Sequence, residues 1–148
     1  VITADQIVAH LIGDYILQSD WMANEKTKKS AAALAHAMTY TLPFLFLTQS
    51  PAALAVIGST HFIIDRWRLA RYVCWLKNFL APRQTENWRG IARAQVPDAP
   101  SVWWHSWSEC VGTGYHKDKP PWMAVWLLII ADNTLHLLCN GLALAFYP

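Results

Sequence analysis

The chain has 148 residues, a formal charge of +2, 54% apolar residues and 15% charged ones. Soluble domains carry about 25% charged residues, so the deficit points to a membrane protein, and so small a net charge leaves no case for a nucleic-acid partner. The three cysteines, Cys74, Cys110 and Cys139, are odd in number and form no CxxC, which speaks against a disulfide framework and a zinc ribbon.

Taken in chain order, the sequence reads as one all-α membrane domain, 1–148, an integral membrane four-helix bundle with a polar loop. The opening V-I-T-A-D-Q lacks the basic region of a cleavable signal peptide. The first apolar segment, 2–18, is short and contains His10 and Asp14, so its crossing depends on its neighbours. The second, 31–48, carries His36 and is expected to kink at Pro43. The third starts after Pro51 and is expected to run as one helix over 52–80, before Pro82. The stretch 82–121 is polar and rich in proline and glycine, and cannot lie bare in lipid. There Trp103, Trp104 and Trp107 share one face of a helix. They fit a short interfacial helix, or an ordinary loop with aromatic packing. The last segment, 122–147, comfortably exceeds the roughly 20 apolar residues a spanning helix needs. Most of the nine tryptophans stand at or beyond the ends of these segments, where an interfacial belt belongs.

Lysine and arginine set the expected orientation. Lys26, Lys28 and Lys29 lie between the first two segments. Arg66, Arg68, Arg71 and Lys77 follow the core of the third, and Arg83, Arg89 and Arg93 lie in the long loop. The connection T-Q-S-P between segments two and three carries no charge. The positive-inside rule then places 19–30 and 82–121 in the cytoplasm and both termini outside.

The chemistry is carried by three spacings. His10 and Asp14 form H-x-x-x-D, His61 and Asp65 form it again, and Asp132 and His136 form the reverse. Residues four apart share a helix face. An aspartate in mid-membrane costs about 2.5–3.5 kcal/mol, so Asp14, Asp65 and Asp132 unpaired would cost on the order of 7–10 kcal/mol. A shared cation is the simplest compensation. His10, Asp14, His36, His61, Asp65, Asp132 and His136 are therefore the candidate metal ligands. The expected ion is divalent, zinc first, with manganese, iron or nickel as alternatives. One of the aspartates, Asp14 or Asp65, would serve as general base, and Arg68 would steady an anionic part of the substrate. Plainer readings stand beside these. His36 fits a hydrogen-bonded packing residue, and Asp65 fits a pair with Arg68. His10 and Asp14 fit a wet interface, Asn133, Thr134 and Asn140 fit bridges between helices, and Arg66, Arg68 and Arg71 fit a headgroup anchor.

Four blocks carry a resemblance: H-L-I-G-D-Y-I-L-Q-S-D-W-M-A from His10, H-A-M-T-Y-T-L-P-F from His36, H-F-I-I-D-R-W-R-L-A-R-Y from His61, and P-P-W-M-A-V-W-L-L-I-I-A-D-N-T-L-H-L-L from Pro120. Together they resemble the domain-of-unknown-function 3307 family of small bacterial and phage membrane proteins. That resemblance implies a membrane protein without an established activity. By residue pattern alone, the H-x-x-x-D pairs are also similar to those of inner-membrane metal-dependent hydrolases and, more distantly, alkaline ceramidases. The expectation is an intramembrane metal-dependent hydrolase, possessing lipids as neighbours and a lipid-like or small amphiphilic substrate, with self-association open. The rivals are an ion or proton path, and a non-enzymatic phage or bacterial assembly protein.

Overall fold

A computed structural model describes residues 2–79, 106–117 and 119–148. Every regular element among them is helical, and no strand occurs. The elements are α1 (Ala4–Leu11), a π turn (Ile12–Ile16), α2 (Asp20–Glu25), α3 (Ser30–Thr41), a 3₁₀ turn (Leu42–Phe46), α4 (Pro51–Trp67), α5 (Leu69–Phe79), α6 (Trp107–Cys110) and α7 (Pro121–Phe146). They fall in two compact units, one within Val1–Ala70 and Ile129–Pro148, the other within Arg71–Leu128. Trp88, Trp103, Trp104, Arg83, Arg89, Arg93 and most of the expected loop 82–121 lie outside the described residues.

Local chemistry explains where the helices start and stop. Thr3, Ser19 and Ser50 each accept a hydrogen bond from the backbone N–H three residues on, opening α1, α2 and α4. Pro51 opens α4, where its missing N–H costs nothing. The expected kink at Pro43 takes the form of a tightening: α3 gives way at Leu42 to a 3₁₀ turn, because Pro43 has no N–H to continue the ladder. The third segment differs from the single helix expected. Arg68 adopts the left-handed conformation (φ 52°, ψ 51°), its N–H bonds back to the Asp65 and Ile64 carbonyls, and the helix ends there. The first segment also differs. It is an α-helix only to Leu11 and then widens into the π turn.

In the first unit Gly13 lies against Tyr40 of α3. A Cβ there would come 2.6 Å from Tyr40 Cδ2 and 2.9 Å from its carbonyl oxygen, so only glycine permits this approach. Ala9, Tyr40, Phe44, Ile57 and Ala143 form an apolar core. Arg66, at the end of α4, donates to the Thr27 carbonyl (2.8 Å) and to Ser30 Oγ (3.2 Å), which brings the basic ends of α4 and of the α2–α3 connection together. In that connection Lys29 and Lys28 hold the Glu25 carboxyl below its usual range.

Polarity is distributed inside out. Gln6, His10, Asp14, His36, His61, Asp65, His136 and Asn140 are buried, while Ile16, Met38, Phe46, Trp122, Trp126 and Phe146 stand exposed. α7 is 26 residues long and, among the described residues, is the one helix long and apolar enough to cross a membrane. In the second unit Trp107 stacks on Tyr72 at 4.6 Å, and the Arg71 guanidinium lies 5.5 Å from the Trp107 ring.

Candidate metal centre

Three elements of the first unit bring four buried side chains together. Asp14 comes from the π turn, His36 from α3, and His61 and Asp65 from successive turns of α4. Each offers one ligand atom, and the four atoms lie within 4.8 Å of one another. His36 Nε2 is 3.1 Å from Asp14 Oδ1 and 3.3 Å from Asp65 Oδ2. His61 Nε2 is 3.6 Å from Asp14 Oδ1 and 3.2 Å from Asp65 Oδ2. Four ligands about 2.0–2.1 Å from a tetrahedral centre stand about 3.3–3.4 Å apart. The observed spacings bracket that value. His61 Nε2 also lacks a well-aligned hydrogen bond despite polar atoms this close, whereas Asp65 Oδ2 has the Lys26 ammonium against it at 2.8 Å. Close but misaligned lone pairs are what ligands aimed at a common centre present. The group can therefore hold a metal ion.

The ring of His61 is held in place. Tyr40 stacks on it with 3.5 Å between centroids and 13° between planes, and its Nδ1 lies 3.1 Å from His136 Nδ1. His136 belongs to a second, overlapping group with Asp65 and Asp132. Its Nε2 is 3.4 Å from Asp65 Oδ1 and 3.5 Å from Asp132 Oδ2. Asp132 is the open end of this group, with 29% of its side chain exposed.

His10 is corrected. Asn133 Nδ2 donates to the Ile129 carbonyl at 2.7 Å, which fixes its amide and turns Oδ1 toward His10 Nε2 at 2.7 Å. His10 Nε2 therefore carries the proton. Its Nδ1 accepts from the Tyr40 hydroxyl at 2.8 Å, and that oxygen accepts from Asn140 Nδ2 at 2.6 Å. Both ring nitrogens are committed to protein partners, so His10 ties α1 to α3 and α7 and has no lone pair for a metal. Asp14, from the π turn, reaches His36 and His61, while His10, 3.7 Å from Asp14, faces Tyr40 and Asn133.

The cation seated here is Lys26, which sequence reasoning assigned only to a charged loop. Its Nζ is 2.8 Å from Asp65 Oδ2, donates to Gln18 Oε1 at 2.8 Å, and lies 3.3 Å from His36 Nε2. Lys26 stands against Asp65 where the plainer reading put Arg68, whose backbone closes α4. The i,i+4 pattern located Asp14, His61, Asp65, Asp132 and His136. Lys26 reaches the centre from a short connection, where spacing carries no information.

The family model described as Protein of unknown function (DUF3307) matches residues 2–89. The match takes in Asp14, Lys26, His36, His61 and Asp65, and ends before Asp132, His136 and the block that starts at Pro120. No curated protein and no solved structure matches the chain.

Proposed function

We propose that this chain, which belongs to the family described as Protein of unknown function (DUF3307), is a membrane-embedded hydrolase whose Asp14, His36, His61 and Asp65 hold one divalent ion. The observation that carries the reading is the set of four buried ligand atoms with spacings of 3.1–3.6 Å. Two imidazoles and two carboxylates in near-tetrahedral spacing favour zinc over the harder ions. Such an ion polarises a carbonyl or phosphoryl oxygen and acidifies the water beside it. All four would hold the ion at rest, and His36, His61 and Asp65 would keep it when water enters and Asp14 gives up its place. Asp14, the more exposed of the two carboxylates at 8% against 4% of the side chain, is the base that takes a proton from water. Lys26 supplies the positive charge for an anionic oxygen of the substrate.

A membrane setting is supported by the buried polar residues and by the exposed apolar side chains on α1, α3, the 3₁₀ turn and α7. On this reading the four expected segments cross the bilayer together, with the joined basic ends of α4 and the α2–α3 connection at the cytoplasmic side. The core of Tyr40, Phe44 and Ile57 closes the other direction, which favours an enzyme reached from one side over an ion or proton path. The substrate class is a lipid, or another membrane-embedded ester, amide or phosphoester. One observation favours a second reading. The Lys26 ammonium at 2.8 Å can neutralise Asp65 by itself, leaving a metal-free ion-pair network that joins helices.

The test is turnover of fluorogenic lipid esters, amides and phosphoesters by purified protein in detergent, with zinc and with a chelator. Chelator-sensitive turnover, reduced at least about 100-fold in Asp14→Asn, is expected of an essential general base. Turnover that ignores both the chelator and Asp14→Asn would contradict the proposal.

A further inference from the structure

We infer that the two overlapping His/Asp groups make one metal site and its support, not two metal sites: His136 positions His61, and His136 with Asp132 binds no second ion. The inference rests on the metal reading above and turns on one shared proton.

His61 Nδ1 and His136 Nδ1 face each other at 3.1 Å, both rings buried. A hydrogen bond across that gap contains a single proton, so one ring donates and the other accepts. A neutral imidazole carries one N–H. The donating ring has its proton on Nδ1 and keeps a lone pair on Nε2. The accepting ring has its proton on Nε2, where it cannot bind a metal. Two ions, one at each Nε2, would require both protons on Nδ1, and the two donors would then collide.

Geometry decides which ring ligates. His61 Nε2 stands among three other ligand atoms, with Asp14 Oδ1 and Asp65 Oδ2 at 3.6 Å and 3.2 Å. His136 Nε2 faces only two carboxylate oxygens, Asp65 Oδ1 at 3.4 Å and Asp132 Oδ2 at 3.5 Å. Both Nε2 atoms face two carboxylate oxygens and lack an aligned hydrogen bond, but His61 belongs to the fuller set of four buried ligand atoms and His136 to a set of three with a partly exposed Asp132. His61 is therefore the donor and the ligand, and His136 is the acceptor. The chain Asp132–His136–His61 does for the metal what a carboxylate or carbonyl behind a ligating histidine does elsewhere: it fixes tautomer and ring plane. Asp65 contributes one oxygen to the centre and the other to this support.

The test is titration of the full-length protein in detergent with Co²⁺, following stoichiometry and the visible ligand-field bands. One ion per chain is expected. His136→Leu should still bind one ion, about 10–100-fold more weakly and with shifted bands, since outer partners of ligands typically act on that scale. His136→Asn, whose amide oxygen can accept from His61 Nδ1, should restore most of the affinity and the native bands, a rescue that a purely structural role would not produce. Two ions per chain, falling to one in His136→Leu or Asp132→Asn, would overturn the inference while leaving a metal centre standing. No ion at all would overturn the metal reading itself, and this inference with it.

Discussion

At the scale of single residues, the centre is defined by which nitrogens still have lone pairs. His61 has a partner behind it at Nδ1, whereas His36 Nδ1 is buried without one. When His36 Nε2 ligates, its Nδ1–H is left unsatisfied, at a cost of about 1–3 kcal/mol. His36 is thus the weaker ligand. His61→Ala should abolish zinc retention through gel filtration, and His36→Ala should only weaken it. Equal losses would show that the partner behind His61 contributes nothing. Lys26 competes for the same carboxylate, so Lys26→Met should tighten zinc binding by about tenfold or more, equivalent to about 1.4 kcal/mol, in a competition titration against a chromophoric chelator. Weaker binding would mean that Lys26 organises the site rather than opposing the ion. The i,i+4 pairs made most of these residues legible in the sequence. His10 keeps the i,i+4 approach to Asp14, but its ring nitrogens face Tyr40 and Asn133, partners that spacing along one helix does not reveal.

At the scale of elements, the approach of the π turn to α3 is the contact on which the site depends. Gly13 permits it, and Gly13 is adjacent to Asp14. Gly13→Ala would press a methyl group against the Tyr40 ring and carbonyl. Overpacking of this kind costs about 1–3 kcal/mol. The variant should melt at a lower temperature by intrinsic tryptophan fluorescence, and its zinc affinity should fall because Asp14 is displaced. An unchanged melting temperature with unchanged affinity would show that the helices part without consequence. Apolar runs and prolines foretold the starts of α4 and α7 and the change at Pro43. The π turn and the left-handed Arg68 were not foretold, since each is a local backbone state that tertiary packing selects among residues of no special propensity.

At the scale of the whole molecule, the first unit buries His10, Asp14, His36, His61, Asp65 and His136 and exposes leucine, methionine, phenylalanine and tryptophan. This inversion suits a surround of acyl chains, where a polar centre gains by being shared among helices. The overexpressed protein should stay with membranes through alkaline carbonate washing and leave them only in detergent. Release by carbonate would contradict the four-crossing arrangement. Composition suggested a membrane, and the structure offers one helix among the described residues, α7, long and apolar enough to cross it. Of the four crossings expected from the sequence it alone meets that measure, because α1 with its π turn and α3 with its 3₁₀ turn are short in α-helical form.

The central claim is that Asp14, His36, His61 and Asp65 enclose one ion. Zinc-edge X-ray absorption spectroscopy on the zinc-loaded protein tests it most directly. The account predicts one zinc per chain in a shell of two imidazole nitrogens and two carboxylate oxygens, at about 2.0–2.1 Å. A shell containing three imidazoles or any sulfur, or a protein that retains no zinc while its Lys26–Asp65 pair persists, would contradict it.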